Sequence, residues 1–283
     1  MASFTNFATL SYNGGTTNSN IVTGEILEAL TAVKTAVSAN YSAGDRITYA
    51  LSLVNTGTAA ITDYTVTDNL GGYTVGANTV YPLAYNAGTV RYYINGVLQA
   101  APTVTAGPPL TVTGLTVPAG GSAVLIYETT ATPVAPLATG SSITNTATIT
   151  GGGLTNPITA QATVETANSA DLTISKALSP TTVTENGRIT YTFVISNTGN
   201  TEATATGNVV VTDTFAPILR NIAVTYNGTA WTEGTNYTYN AATGVFTTVA
   251  GQITVPAASF TQNTDGTFTV TPGTATLVIT GTV

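Results

Sequence analysis

Residues 1–12 read MASFTNFATLSY, and residues 142–150 read SITNTATIT. Ser3, Phe4, Thr5, Asn6, Ala8 and Thr9 fall in step with Ser142, Ile143, Thr144, Asn145, Ala147 and Thr148. Apolar and small polar residues alternate in both, which marks strands with one face turned inward. In the middle copy such a strand closes a domain. At the front of the chain there is as yet no domain to close.

Outward from these two copies the chain is a tandem repeat. LTAVKTAVSANYSAGDRITYALSLVNTG (30–57) aligns without a gap on LTISKALSPTTVTENGRITYTFVISNTG (172–199), an offset of 142 residues. Lys34 meets Lys176, Arg46 meets Arg188, Tyr49 meets Tyr191 and Asn55 meets Asn197. A small insertion at 202–207 then brings TVTDNL, with Asp68, onto VVTDTF, with Asp213. GSAVLIYETTA (121–131) aligns on GTATLVITGTV (273–283). The first repeat continues through SITNTATIT, GGGLTNP and ITAQATVE, whereas the second reaches Val283. SFTNFATLSY, NGGTTN and NIVTGEIL stand ahead of Leu30 in that same order.

The expectation is an all-β protein: two tandem immunoglobulin-like antiparallel β-sandwich domains plus an N-terminal donor strand or hairpin. Residues 1–28 form the donor segment, 29–168 a complete domain 1, and 169–283 a domain 2 that lacks its last strand. Ser3, Phe4, Thr5, Asn6, Phe7, Ala8, Thr9 and Leu10 are the donor residues, read as a lone strand that completes domain 2 of a neighbour. Asn13-Gly14, Asn95-Gly96, Asn227-Gly228 and Asp265-Gly266 predict tight hairpins. GEILEAL (24–30) reads as strand end plus linker.

Of the 283 residues 43% are apolar, enough for sizeable cores, but only 7% are charged, against roughly 25% in an ordinary globular protein. Six basic residues and a net charge of −7 give no surface for nucleic acid or anionic lipid. No apolar run is long enough for membrane insertion as a helix. Without cysteine or histidine there is no thiol nucleophile, no usual zinc ligand and no usual catalytic base. The expectation is no enzyme beyond self-cross-linking, no cofactor and no metal. No secretory signal is read at the front, so export by another route, or a native start elsewhere, is expected.

Lys34 and Lys176 are the only lysines, and both occupy the same repeat position on the apolar parity of a strand. Asp68 follows Tyr64 and Val66, and Asp213 follows Val209 and Val211, on the inward parity of theirs. Asn145 sits between Ile143 and Ala147, as Asn6 sits between Phe4 and Ala8. Burial disfavours the charged form of each group, lowering a lysine pKa and raising an aspartate pKa. A neutral amine beside a carboxyl that can carry its proton, held against an amide, is set up for nucleophilic attack. The product is an isopeptide bond, with loss of ammonia. Lys34 would join Asn145 within the chain, and Lys176 would join Asn6 of the next molecule, with Asp68 and Asp213 as proton shuttles. The other reading is a buried Lys–Asp ion pair hydrogen-bonded to Asn. Glu128 is a rival to Asp68, but its counterpart is Thr280.

The weaker candidates have plainer readings. Asp45, Asp63 and Asp171 read as turn residues more than as a calcium site. Arg46 and Arg188 read as sheet-edge charges, and Trp231 as packing. Asn40, Asn227 and Asn236 head glycosylation triplets that a Thr-rich chain produces by chance.

This trio resembles the chemistry of the self-cross-linking immunoglobulin-like domains of Gram-positive pilins and adhesins. DLTISK, GRITYTFVISNTG, VVTD and ITNTAT together resemble the tandem-repeat family of Gram-positive surface proteins known as domain of unknown function eleven. TDNLGG and TDTFAP depart from it by lacking the Leu-Pro that often follows the Asp. Within that family the chain is similar to the structural proteins of clostridial spore appendages, which implies a spore or cell-surface location. The expectation is therefore a homopolymer, an open helical filament, with accessory anchor or tip proteins as further partners. The alternative is a monomeric adhesin, stalk or surface-layer module that folds its N-terminal strand onto its own domain 2.

Overall fold

The computed structural model describes residues 2–26 and 29–283, so Met1, Leu27 and Glu28 fall outside it. Among the described residues the chain is strands joined by turns, with one 3-10 turn at Ala205–Gly207 inside the predicted insertion. The N-terminal segment holds β1 (Ala2–Asn6), β2 (Thr9–Tyr12), β3 (Gly15–Asn18) and β4 (Val22–Ile26). β1 pairs antiparallel with β4, and β2 with β3. The first dozen residues are thus not a lone strand. A break at Phe7–Ala8 splits them, and the Asn13-Gly14 turn folds them into a long hairpin. The GEILEAL stretch ends β4 at Ile26.

The strands that follow are β5 (Leu30–Ala36), β6 (Asn40–Tyr41), β7 (Arg46–Asn55), β8 (Ile61–Asp68), β9 (Tyr73–Val75), β10 (Asn78–Val80) and β11 (Leu83–Tyr85). They continue with β12 (Arg91–Ile94), β13 (Val97–Leu98), β14 (Thr103–Thr105), β15 (Leu110–Val117), β16 (Ser122–Ala131), β17 (Ser142–Gly151) and β18 (Ile158–Thr166). One sheet runs β13-β12-β16-β7-β5, with β11 also on β16, and the facing sheet runs β14-β15-β8-β17-β18-β6. Strict alternation along β7, β8, β16 and β17 sends every second side chain between the sheets. Leu51, Leu53, Val66, Leu125, Ile143 and Val164 fill that core. At Asn95-Gly96 both residues have positive φ, 48° and 79°, the conformation a two-residue turn needs to match strand twist.

The second repeat gives β19 (Leu172–Ser179), β20 (Arg188–Asn197), β21 (Thr212–Thr214), β22 (Arg220–Tyr226) and β23 (Thr229–Trp231). After these come β24 (Tyr237–Asn240), β25 (Val245–Thr248), β26 (Ser259–Gln262), β27 (Phe268–Thr271) and β28 (Gly273–Thr282). Its first sheet, β19-β20-β28-β22-β23, has the strand order of the first repeat's, and β19, β20 and β28 keep the register of β5, β7 and β16. Lys176 lies opposite Phe193 just as Lys34 lies opposite Leu51. The facing sheet is short, β21-β25-β24, where domain 1 has β8 flanked by β15 and β17. Phe193, Phe215, Leu219, Phe246 and Leu277 make a separate core.

The β26–β27 hairpin, turning at Asp265-Gly266, has no domain 1 counterpart and reaches back to domain 1. Gln262 Nε2 donates to the Tyr73 hydroxyl at 2.9 Å, and Gly266 lies so close to Val80 that a Cβ there would sit 2.7 Å from its Cγ1. Asn200 pins the other side of the junction, donating to the Leu137 and Ala167 carbonyls at 2.9 Å each. Arg46 pairs with Glu128 at 3.5 Å on the surface, and Arg188 donates to Thr280 Oγ1. Trp231 stacks on Tyr226 at 4.8 Å. Asp45 accepts from the Ser42 N–H, Asp171 from the Thr198 hydroxyl, and Asp63 takes a positive φ of 55°.

Candidate functional site: two Lys–Asp pairs, one covered and one open

In domain 1 the Lys34 side chain crosses from β5 to the facing sheet. Its Nζ meets Asp68 Oδ2 at 2.5 Å, and both side chains are shut off from water. Loss of solvation lowers the Lys34 pKa to about 8, outweighing the attraction of Asp68, which raises it. The ammonium lies 4.8 Å from the Tyr49 ring centroid and 5.8 Å from that of Tyr127. These rings stack on each other from paired positions of β7 and β16. The Tyr127 hydroxyl donates to Asp68 Oδ2, and the Leu70 N–H donates to Asp68 Oδ1 at 2.9 Å. Burial raises the pKa of both phenols, with the Asp68 charge adding to it.

Asn145 stands on β17, two residues from the Ala147 that pairs with Asp68. It is fully buried, and neither its Oδ1 nor its Nδ2 has a hydrogen-bond partner. Such a group costs about 1–3 kcal/mol. Lys34, Asp68 and Asn145 therefore share one dry core, with the amide unpaired. Glu128 does not join them. It is the outward neighbour of Tyr127, and Tyr127 is the group that reaches Asp68. The alternation of Ala123, Leu125 and Tyr127 carries that signal in the sequence.

Domain 2 repeats the pair without its cover. Lys176 Nζ meets Asp213 Oδ2 at the same 2.5 Å, but the lysine side chain is 40% exposed and the aspartate 18%. The sequence places Lys176 in a core. The side chain does point at Asp213 and lies over the Tyr191 ring at 4.5 Å, yet no strand roofs it. On the same strand Ile174 is 55% exposed and Leu178 38%, while their domain 1 counterparts Ala32 and Ala36 pack against the core. In domain 1 the roof is β17 and β18, the latter also packing on β5. In domain 2 the β21 edge away from β25 carries no strand among the described residues.

The N-terminal hairpin has the register of that roof. Ser3 pairs with Glu25, Phe4 with Gly24 and Asn6 with Val22. Ser142 pairs with Glu165, Ile143 with Val164 and Asn145 with Ala162. Its described side chains are not buried: Phe4, Phe7, Leu10 and Val22 are each more than half exposed. The Phe4 ring covers Gly24, where a Cβ would sit 2.4 Å from the ring. Asn6 and the other predicted donor residues stand in solvent, while Lys176 meets Asp213. Among the described residues no cluster of His, Cys, Asp and Glu could hold a metal, and no helix is long and apolar enough to cross a membrane.

No family model matches the sequence. No curated protein matches it either. Among solved structures, the chain is similar to the N-terminal domain of a Streptococcus gordonii adhesin, with 14% identity over 47% of this chain and 31% of that one (TM-score 0.35). It is similar to the major pilin subunit of Bacillus cereus, with 14% identity over 96% of this chain and 73% of that one (TM-score 0.36). It is also similar to the pilus backbone of Streptococcus pneumoniae, with 14% identity over 86% of this chain and 55% of that one (TM-score 0.36). The chain thus spans under a third of the adhesin and little more than half of the pilus backbone. Likenesses this distant carry no functional argument.

Proposed function

We propose that the chain is the structural subunit of a surface fibre that grows head to tail, each molecule's N-terminal hairpin roofing domain 2 of its neighbour. One observation carries this reading: β1–β4 has the β17–β18 register residue for residue, while Phe4 and Val22 on it are left more than half exposed. Seated beside β21 as β17 sits beside β8, the hairpin would bring Asn6 to the place of Asn145. Gly24 would stand where domain 1 has Val164, leaving room for the acceptor side chains Ile174 and Leu178, which are larger than Ala32 and Ala36. Because the two surfaces differ, the contact propagates as an open filament. The motif resemblance to spore-appendage proteins favours a spore or cell-surface location.

Two bonds would lock the fibre: Lys34 to Asn145 within a chain, and Lys176 to Asn6 between chains. In the first, the Lys34 ammonium passes one proton to Asp68, and the freed amine attacks Asn145 Cγ. The bond from Cγ to the amide nitrogen breaks. That nitrogen takes one proton from the attacking amine and the one held by Asp68, and leaves as ammonium. Asp68 returns to carboxylate, held by the Tyr127 hydroxyl and the Leu70 N–H, and the positive charge leaves the core with the ammonium.

Deleting residues 1–12 tests the assembly. The shortened chain is expected to be monomeric by light scattering while the intact chain forms filaments by negative-stain microscopy. A shortened chain that still polymerises contradicts hairpin donation. An intact chain that stays monomeric, with its hairpin protected from hydrogen exchange, favours the self-closing module.

A further inference from the structure

We infer that Tyr49, and Tyr191 at the matching place in domain 2, is a catalytic residue of the cross-linking site, its hydroxyl donating to the asparagine carbonyl oxygen as the new bond forms. The inference rests on the cross-link reading above and assigns a group that reading leaves without a role. When the amine adds to Asn145 Cγ, negative charge moves onto Oδ1, and a buried oxyanion without a donor is costly. Asp68 is poorly placed to supply one. Its Oδ1 already accepts from the Leu70 N–H, and its Oδ2 accepts from Lys34 and Tyr127.

The Tyr49 hydroxyl, by contrast, is buried and has no partner, as has Asn145 Oδ1. Both belong to the core around the Lys34 ammonium, which lies over the Tyr49 ring and meets Asp68, whose partner Ala147 is two residues from Asn145. An unpaired phenol and an unpaired carbonyl in one dry core each carry a penalty. That penalty is relieved when the carbonyl becomes an oxyanion and draws the hydroxyl to it. Burial and the Asp68 charge hold the phenol protonated, so it is a donor throughout the range in which Lys34 loses its proton.

Repetition strengthens the assignment. Both repeats keep the tyrosine in RITY under the lysine, at 4.8 Å in domain 1 and 4.5 Å in domain 2. Tyr127 has no such echo, since Ile279 occupies its place. Tyr127 therefore steadies Asp68 in one site only, while the donor to the carbonyl is common to both. The balance of the reaction is unchanged: the phenol lends its hydrogen bond and keeps its proton.

The test follows the intact mass of the full chain after cell-free synthesis, reading the loss of one ammonia against time and pH. Tyr49→Phe is expected to slow that loss by on the order of 100-fold. Its rate should still rise through about pH 8, where Lys34 deprotonates. A purely structural role would instead let water in and move that rise toward the ordinary lysine range. Tyr49→Phe bonding at the wild-type rate, or slower only with a shifted pH profile, overturns the assignment. A wild-type chain that keeps its full mass overturns the cross-link itself and the tyrosine's role with it. If Tyr49→Phe does not fold, Tyr191→Phe decides. Its filaments are expected to form normally but to acquire their interchain bonds about 100-fold more slowly, and an unchanged rate overturns the assignment.

Discussion

At Lys34 water is excluded, and the pKa of about 8 reflects lost solvation outweighing the pull of Asp68. In an Asn145→Ala chain, which has no amide to bond, the unfolded lysine holds its proton to about pH 10.4. The folded one releases it through about 8. The unfolded state therefore binds more protons in this window, and stability rises with pH from 8 toward 9, by on the order of 1 kcal/mol. Above that the buried Tyr41, Tyr49, Tyr64 and Tyr127, whose pKa values are raised, reverse the trend. Hydrogen exchange of the β7 and β16 amides at a series of pH values measures it, and a fall between pH 8 and 9 contradicts the burial argument. The two aspartates should also differ. Asp68→Ala strands a buried ammonium and costs about 3–5 kcal/mol, whereas Asp213→Ala, beside an exposed lysine, costs about 1 kcal/mol or less. Chemical denaturation of the two variants distinguishes them.

Strand by strand, period-two alternation made the inward set legible: Asp68, Asn145 and Lys34 lie where parity puts them. Tyr127 is equally legible on the parity of Ala123 and Leu125, and the same parity turns the rival Glu128 outward. The exposure of Lys176 was not readable from its own strand, because cover comes from strands elsewhere in the sequence. Nor does a one-strand match show that β1 carries its own partner, β4, in the β17–β18 register. The hairpin's internal fit is its weakest point. Gly24→Val puts a side chain into the space of the Phe4 ring, so the ring must leave the face it would present to domain 2. That variant is expected to lose filaments by electron microscopy while the melting of both domains is unchanged. Wild-type filaments from Gly24→Val would mean that Phe4 does not seat as Ile143 does.

Over the whole molecule the two kinds of joint differ. Between domains 1 and 2 the β26–β27 hairpin lies against Tyr73 and Val80, and Asn200 binds two domain 1 carbonyls. Domain 1 has only the 118–121 turn where domain 2 has that hairpin, and Thr58 where domain 2 has Asn200. The shared motifs lie in the sandwiches and not in these additions, so the repeat alone does not separate the two joints. Fibres are thus expected to bend mainly between subunits, and Asn200→Ala to add bending within them, read as the distribution of inter-domain angles in electron micrographs. The most direct measurement is tandem mass spectrometry of peptides from filaments boiled in detergent. Hairpin donation with cross-linking predicts one peptide pair joined through Lys176 and Asn6, another through Lys34 and Asn145, each short by one ammonia. Filaments that dissolve into full-mass chains with both lysines free would contradict it.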